Sequence, residues 1–312
     1  LKNGKNMFVG ERISIFYNAG SFPRIDVDSD GQITKIRNGG VPQAGNMSYH
    51  FQLLKEEIDK VMPLPHNRGL AIIDMEDWYP RWKLNSGIKN IYREYSRDLV
   101  RRANPTLKSW EVEEEAVNKF HEFGEMFLVN TIRSAKRQRP RAIWGYYEFP
   151  YCDNYILTSE NKMDCSADVK EENEKYLWIY KEMDALYPYI YLYKNYNETL
   201  RAKHIIGRLE ETYRLLRASN LSKPVYPYAT PVLLQADTYL GKEDLMSSLL
   251  IPKVCGSPGV ILWGSSSWFN SAEKCAIFDK YLESTLGPVV NYVTECSIKN
   301  ATQWLTSQGE RG

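Results

Sequence analysis

The 312 residues carry 40 basic against 39 acidic side chains, so no global field draws the chain to nucleic acid or to an anionic membrane, and any affinity for a polyanion has to be local. Hydrophobic residues at 43% and charged residues at 25% allow a substantial core and exclude disorder, and no run of about 18 apolar residues is present to span a membrane. Aromatics reach 13%, with 22 Tyr and 8 Trp; most fill the interior, and the excess suits stacking on carbohydrate.

From the start of the chain, residues 12–17 read as a strand, and a turn-rich stretch runs from Asn18 to Gly45. Residues 48–61 place Phe51, Leu54, Ile58 and Val61 on one helical stripe. Next comes Gly69-Leu70-Ala71-Ile72-Ile73-Asp74-Met75-Glu76-Asp77-Trp78-Tyr79-Pro80-Arg81-Trp82, which passes from a buried-strand pattern straight into acids and aromatics. A strand is expected over 70–76, stopped by Pro80. Because side chains alternate across a strand, Asp74 and Glu76 share one face and Asp77 takes the other. Two carboxylates one residue apart do not easily ionise together, so one acquires a raised pKa, as a general acid at a sugar bond needs. Both approach a substrate from the same side, whereas an ordinary retaining glycosidase sets acid and nucleophile on opposite sides. The nucleophile must then come from elsewhere, the substrate itself included. Two competing readings stand beside this one: a solvated strand end, the better one for an arbitrary D-x-E, and a Ca²⁺ or Mg²⁺ site. Against the metal, Trp78 and Trp82 read as a sugar-stacking surface.

Residues 88–102 and 109–138 read as helices. The second opens at Ser109 with Glu111 to Glu115 and ends in Lys136, Arg137 and Arg139 before Pro140, the order a helix dipole prefers. A strand follows at 142–147. Helices near 170–185, 199–219, 242–252 and 271–285 then interleave with strands at 189–193, 224–228 and 260–263. Alternating strand and helix indicates a parallel sheet of the α/β class. With the chemistry at strand ends, the best fit is a (β/α) barrel carrying its site at the C-terminal rim. One domain over 1–312 is expected, with a short C-terminal extension from about 287. A doubly wound sheet is the second reading, but no Gly-rich phosphate loop supports nucleotide binding. His50, His66, His121 and His204 show no ligand spacing, so neither metal nor cofactor is expected.

Residues 69–82 resemble the signature of the hyaluronidases, endo-glycosidases that cut hyaluronan and chondroitin, which reads approximately G-x-x-V/I-I-D-x-E-x-W-R-P-x-W. The resemblance continues in the family's order and spacing. It runs through Asn38-Gly39-Gly40-Val41-Pro42-Gln43 with Gly45-Asn46, Trp144-Gly145-Tyr146-Tyr147-Glu148-Phe149-Pro150-Tyr151-Cys152, Tyr187-Pro188-Tyr189-Ile190-Tyr191, and Ile261-Leu262-Trp263-Gly264-Ser265-Ser266. It covers nearly the whole chain, and in the Pro-Tyr-Cys and Trp-Gly-Ser-Ser runs it is nearest to arthropod venom members. It implies a distorted (β/α) barrel of seven to eight strands, with the family's first strand missing ahead of Leu1. It also implies an endo-β-N-acetylhexosaminidase that hydrolyses β-1,4 bonds of hyaluronan, and of chondroitin as a further substrate, by a retaining, substrate-assisted route.

On that resemblance Glu76 protonates the leaving glycosidic oxygen, and Asp74 orients the 2-acetamido group whose oxygen attacks the anomeric carbon. Tyr147 and Tyr191 position the same group. Trp263 walls the sugar pocket, Tyr228 and Ser266 bind substrate beside it, and Arg208 faces a uronate carboxylate. Without the resemblance, the aromatics read as barrel filling and Arg208 as a surface helix residue. Tyr79 is the departure. The family carries arginine there, and tyrosine supplies neither the charge nor the paired donors, which leaves affinity for an anionic substrate, or activity itself, open. The second class of function is therefore a catalytically impaired homologue that binds glycan.

Five cysteines are present. The resemblance implies a Cys152–Cys165 disulfide closing a polar loop, worth roughly 3 kcal/mol by the chain-entropy argument. In the family the counterpart of Cys275 pairs with a cysteine ahead of this chain's start, and the pairing of Cys255 and Cys296 stays open. Sequons at Asn46, Asn197, Asn220 and Asn300, taken with paired cysteines, favour a secretory route, extracellular first and lysosomal second. The expected partner is a glycosaminoglycan, met by a monomer.

Overall fold

The computed structural model describes residues 12–309 other than 18 and 237. In chain order the elements are β1 (Ile13–Phe16), β2 (Arg24–Val27), β3 (Ile33–Arg37), α1 (Met47–Val61), β4 (Leu70–Ile73), α2 (Asn90–Ala103), α3 (Ser109–Gln138), β5 (Ile143–Tyr146), α4 (Ala167–Glu174) and α5 (Leu177–Glu182). They continue with α6 (Glu198–Ala218), β6 (Tyr228–Ala229), β7 (Val232–Leu233), β8 (Thr238–Tyr239), α7 (Lys242–Val254), β9 (Ile261–Leu262), α8 (Ala272–Tyr281), α9 (Gly287–Glu295) and α10 (Ile298–Gly309). Two compact units divide them. One takes in the described residues up to Tyr147 together with Tyr176–Asp184, the other Glu148–Lys175 with the described residues from Ala185 on.

In the first unit β4 lies between β1 and β5 in a parallel sheet, with Phe16, Ile73 and Tyr146 level with one another. Ala71, Ile72 and Ile73 are all fully buried, which is why this strand reads as an unbroken apolar run rather than an alternating one. Its last rungs are the Asp74 N–H to Phe16 O at 3.1 Å and the Tyr147 N–H to Ile73 O at 3.0 Å. The strand expected over 70–76 therefore stops at Ile73. Beyond Asp74 the chain turns aside, the Trp78 indole N–H donating to Pro23 O at 2.8 Å and Pro80 having no N–H to give a ladder. The 30-residue α3 packs along α1, α2 and β5. Just past its end Arg139 donates to Met62 O at 2.7 Å and to the Asp59 carboxylate at 3.0 Å, so the basic C-terminus is also a tie to α1.

The stretch read as turns holds a hairpin, in which Arg24 in β2 pairs antiparallel with Arg37 in β3. Its turn is built by the Asp28 carboxylate, which accepts the backbone N–H groups of Asp30 at 3.0 Å and Gln32 at 2.8 Å, with Gly31 at φ 79°. An Asp-Gly step between two alternating runs is the signal that marks it.

In the second unit parallel pairing joins β6 to β9, and single rungs join Leu186 to Val225, Tyr189 to Tyr228 and Tyr193 to Leu234. The strands expected at 189–193 and 224–228 thus appear as isolated bridges. Pro188, Pro224, Pro227 and Pro231 remove donors at intervals and keep a continuous ladder from forming. The helix expected near 170–185 is two. Asn173 ties α4 to Tyr151 O at 2.8 Å and Glu211 at 2.9 Å, whereas α5 belongs to the first unit, with Glu182 against Arg133 at 2.5 Å and Asp184 against Lys136 at 2.6 Å. The helix expected over 271–285 ends at Tyr281, passes through a π-helical turn at Leu282–Leu286 and resumes as α9. Pro288, with no N–H for the preceding turn, marks that change of register. The C-terminal extension expected from about 287 is α9 and α10, both packed on α7. A Cys152–Cys165 disulfide is present with Cα atoms 5.1 Å apart.

Candidate active site

Asp74, Glu76 and Tyr147 leave the C-terminal ends of the neighbouring strands β4 and β5. The backbone of Asp74 is held by the rung to Phe16 and that of Tyr147 by the rung to Ile73. Asp74 is half-buried, Met75 buried and Glu76 exposed, so the expected alternation outlasts the strand by three residues. Tyr147 is buried.

Glu76 borders a cleft of about 610 Å³ whose lining includes Arg24, Asp26, Arg37, Asp77 and Lys89. Asp26 stands between two guanidinium groups, 2.6 Å from Arg24 Nε and 2.7 Å from Arg37 Nε, and Arg24 lies 3.5 Å from Asp77. Burial pushes the Asp77 carboxyl above the usual carboxylate range, opposed by Arg24 and Lys89. Sequence placed Asp77 on the far face and gave it no role. Lys89 Nζ donates to the backbone carbonyl of Glu76 and lies 4.8 Å from the Tyr79 ring centroid. Tyr79 is itself fixed by Asn85, whose Oδ1 accepts the Tyr79 N–H at 2.9 Å and whose Nδ2 donates to Tyr79 O at 2.7 Å.

Trp78 and Trp82 correct the expectation of a sugar platform, being 1% and 5% exposed. Trp78 meets Phe120 edge-on at 5.8 Å. Trp82 donates its indole N–H to Glu113 at 3.2 Å and carries the Arg97 guanidinium on its ring at 5.2 Å. Both rings pack α3 against the loop that follows β4.

In the second unit Tyr191 and Trp263 lie 6.3 Å apart with their planes tilted by 30°, both half-buried. Trp263 follows β9, its N–H donating to Ala229 O at 2.9 Å, and Trp268 stands edge-on to it at 5.7 Å. Ser266 is exposed at the start of the 3₁₀ turn Ser266–Phe269.

Tyr228 and Arg208 are each only 2% exposed, beneath the surface where direct substrate contact was expected. Arg208 donates from Nε to His204 Nε2 at 3.1 Å, and from Nη2 to Cys152 O at 2.8 Å, to the Tyr189 hydroxyl at 3.0 Å and to the Tyr155 hydroxyl at 3.2 Å. Its guanidinium carbon lies 3.9 Å from the Tyr189 ring centroid. It projects from the buried face of α6, beside Gly207, where even a Cβ would strike Met163 O. Burial and the Arg208 charge push His204 down to about 3, so the imidazole is a neutral acceptor for the guanidinium. Glu148, quoted in the sequence motif without a role, is buried at φ 74°. Its charge adds to the burial that pushes Tyr151 up to about 12.

Among the described residues no group of three or more His, Cys, Asp or Glu side chains is arranged to hold a metal ion, and no helix is long and apolar enough to cross a membrane.

In the first unit two carboxylates leave a strand end, and in the second a tilted Tyr–Trp pair lies beside another strand; both are groups of the kind a glycoside hydrolase uses. The sequence profile of the hyaluronidases, glycoside hydrolase family 56, matches residues 1–310. Hyaluronidase of Polistes annularis is 37% identical over 295 residues, spanning 94% of this chain and 80% of the relative. That of Apis mellifera is 36% identical over 295 residues, spanning 94% and 77%. The crystal structure of bee venom hyaluronidase in complex with a hyaluronic acid tetramer superposes with a TM-score of 0.87 at 36% identity, covering 94% of this chain and 91% of that one. The chain belongs to the hyaluronidase family of glycoside hydrolases and takes that family's α/β-barrel fold class.

Proposed function

We propose that the chain is an endo-β-N-acetylhexosaminidase that hydrolyses hyaluronan with retention of configuration, the substrate's own acetamido group acting as nucleophile. The observation that carries this reading is the pair Asp74 and Glu76, set one residue apart beyond the end of β4, with Met75 between them turned inward. Glu76, exposed on its cleft, gives its proton to the leaving glycosidic oxygen. Asp74, half-buried with its backbone fixed by the β1 rung, accepts the acetamido N–H and aims the acetamido oxygen at the anomeric carbon. That oxygen bonds to the carbon as the glycosidic bond breaks. Glu76, now a carboxylate, takes a proton from water as the water attacks the same carbon, reopening the cyclic intermediate and restoring the acetamido group. Tyr147 steadies the acetamido group from the adjacent strand. Within the second unit Tyr191, Trp263 and Ser266 are the sugar-binding groups, while Tyr228 and Arg208 act from below its surface, Arg208 by bracing Tyr189 and Tyr155.

The hyaluronic acid tetramer bound by the bee venom relative supports the substrate class, and chondroitin is a second candidate. A second reading, a glycan-binding homologue without turnover, is favoured by Tyr79, uncharged where the resemblance expects arginine. Zymography on hyaluronan and chondroitin from acidic to neutral pH tests both. Clearing on hyaluronan is expected; retention of the protein on immobilised hyaluronan without clearing of either polymer would favour the second reading.

A secreted monomer fits the same account. Asn46, Asn197, Asn220 and Asn300 are all exposed. At the helix caps Asn46 and Asn197 only Oδ1 is used, accepting from Tyr49 N at 3.0 Å and Leu200 N at 2.9 Å. An N-linked glycan on Nδ2 leaves both caps intact. A mass shift on enzymatic deglycosylation and a single-chain mass in sedimentation are the expected results.

A further inference from the structure

We propose that the N-terminal end of the parallel sheet in the first unit is a docking surface for acidic polysaccharide, where Arg12, Arg68 and Arg141 hold a stretch of a long hyaluronan chain remote from the one being cleaved. The inference rests on the reading of the chain as a hyaluronan hydrolase. Arg12 stands one residue before β1, Arg68 two before β4 and Arg141 two before β5, three strands that are neighbours in one sheet. The ladder reaches these residues. Arg12 O accepts the Leu70 N–H at 2.8 Å, and Gly69 O accepts the Ile143 N–H at 3.0 Å. Gly69 runs so close to the Arg12 backbone that a Cβ there would lie 2.5 Å from Arg12 O. Arg141 lies inside the turn closed by the Ala142 N–H on Arg139 O at 3.2 Å. With strands about 4.8 Å apart, three guanidinium groups therefore start from adjoining backbone positions.

All three side chains are exposed, and among the described residues none of them makes a hydrogen bond or an ion pair. The carboxylates fixed to the same turns are matched by other cations. Asp59 lies 2.8 Å from Lys55 and 3.0 Å from Arg139, and Asp184, which accepts the Trp144 N–H at 3.1 Å, lies 2.6 Å from Lys136. Like charges brought side by side at strand ends repel, so folding gains nothing from this arrangement, whereas a polyanion does. A guanidinium fork pairs with a carboxylate or a sulfate. The chain as a whole is nearly neutral, so the attraction is local to this end of the sheet. Asp74 and Glu76 leave the opposite end of β4, and the stretch from Arg68 to Asp74 extends over about 20 Å. Carboxylates repeat all along hyaluronan, so a long chain seated at the acids carries others that reach the arginines, while a short oligosaccharide in the cleft does not. Each exposed contact is weak by itself. Tethering through the cleft raises the effective concentration of the rest of the polymer, so that the three act together.

The variant combining Arg12→Gln, Arg68→Gln and Arg141→Gln, its all-lysine counterpart, and Arg217→Gln, which removes an exposed arginine from the last turn of α6, separate local charge from net charge. KM is measured on high-molecular-mass hyaluronan and on a hyaluronan hexasaccharide, with retention on immobilised polymer and on phosphatidylserine vesicles beside it. The glutamine variant is expected to raise KM on the polymer about tenfold, the sum of three exposed charge contacts, and to flatten its salt dependence. KM on the hexasaccharide and kcat on both should stay within about twofold. The lysine variant should keep most of the polymer affinity, and Arg217→Gln should behave as the parent. The melting temperature should not fall, since like charges have been removed, and Arg68→Gln alone should shift polymer KM in the same direction by less. An unchanged polymer KM, equal rises on polymer and hexasaccharide, or loss of vesicle retention with polymer retention intact overturns the proposal, the last in favour of a lipid surface. A parent that binds but does not cleave hyaluronan, with retention lost in the glutamine variant, removes the functional reading and keeps the docking surface. A parent that neither binds nor cleaves removes both.

Discussion

Each residue of the pair Tyr191 and Trp263 keeps part of its ring exposed while most of the chain's aromatic surface is buried, so at this pair sugar stacking is open to direct measurement. Trp263→Ala removes a partly exposed platform next to a tyrosine 6.3 Å away. A rise in KM of about tenfold on hyaluronan is expected, a contact of roughly 1.4 kcal/mol, with a smaller change in kcat because the acid is untouched. Steady-state kinetics checks it, with Trp178→Ala, remote in sequence from every site residue, as the comparison. The position of the acid pair was legible in the sequence because an apolar strand ending in acids fixes both location and direction, whereas Tyr147 was singled out by the resemblance alone. Trp78, Trp82, Tyr228 and Arg208 were not legible. The same ring stacks on sugar or fills a core, and only packing against Phe120, α3 or the Tyr155–Tyr189 pair decides which. Lys89 carried no signal at all, since its partners lie ten and thirteen residues back across an intervening loop.

Elements followed the same logic. The long helix α3 was readable to its ends, because acidic first turns, a basic last turn and Pro140 all agreed. Strands 189–193 and 224–228 thinned to single rungs where prolines withdraw donors, and the β2–β3 hairpin passed for loop because its exposed strand shows no buried face. The loop from Cys152 to Cys165 is the element most dependent on a covalent tie. It has no regular structure of its own and is closed by the disulfide, by Asn154 Nδ2 donating to Met163 O at 2.8 Å and to His204 O at 2.9 Å, and by Arg208 on Cys152 O. Replacing both cysteines with alanine is expected to cost about 3 kcal/mol, seen as a lower midpoint in denaturant. It should also raise KM, because Arg208 loses a fixed acceptor and with it the brace under Tyr189. A double variant as stable as the parent would mean that the hydrogen bonds alone close the loop.

At the scale of the molecule, two fully buried histidines set the acid limit of stability. His50, its Nε2 2.7 Å from Thr131 Oγ1, is pushed down to about 4 by burial, and His204 to about 3. Each stays neutral in the fold, whereas the unfolded chain takes up a proton below about pH 6.5. Stability is therefore complete above that value and falls as the pH drops towards 4, by up to about 1.4 kcal/mol per pH unit for each histidine. Burial raises the Asp77 and Asp244 carboxyls, and these act with the opposite sign, losing stability as the pH rises through their raised values. Melting temperatures from pH 7 to 4.5 are expected to fall less steeply in His50→Gln than in the parent; equal slopes would contradict the assignment. That acid limit bounds the pH range over which the whole molecule works, and within it the central claim is that Glu76 drives retaining, substrate-assisted cleavage of hyaluronan. Real-time NMR of the reducing ends released from a hyaluronan oligosaccharide, parent beside Glu76→Gln, tests it most directly. The β anomer is expected to appear first with the parent, and Glu76→Gln is expected to bind the oligosaccharide normally but to turn it over about 10²–10⁴-fold more slowly, the contribution of one positioned proton donor. First appearance of the α anomer, or parental turnover in Glu76→Gln, would contradict it.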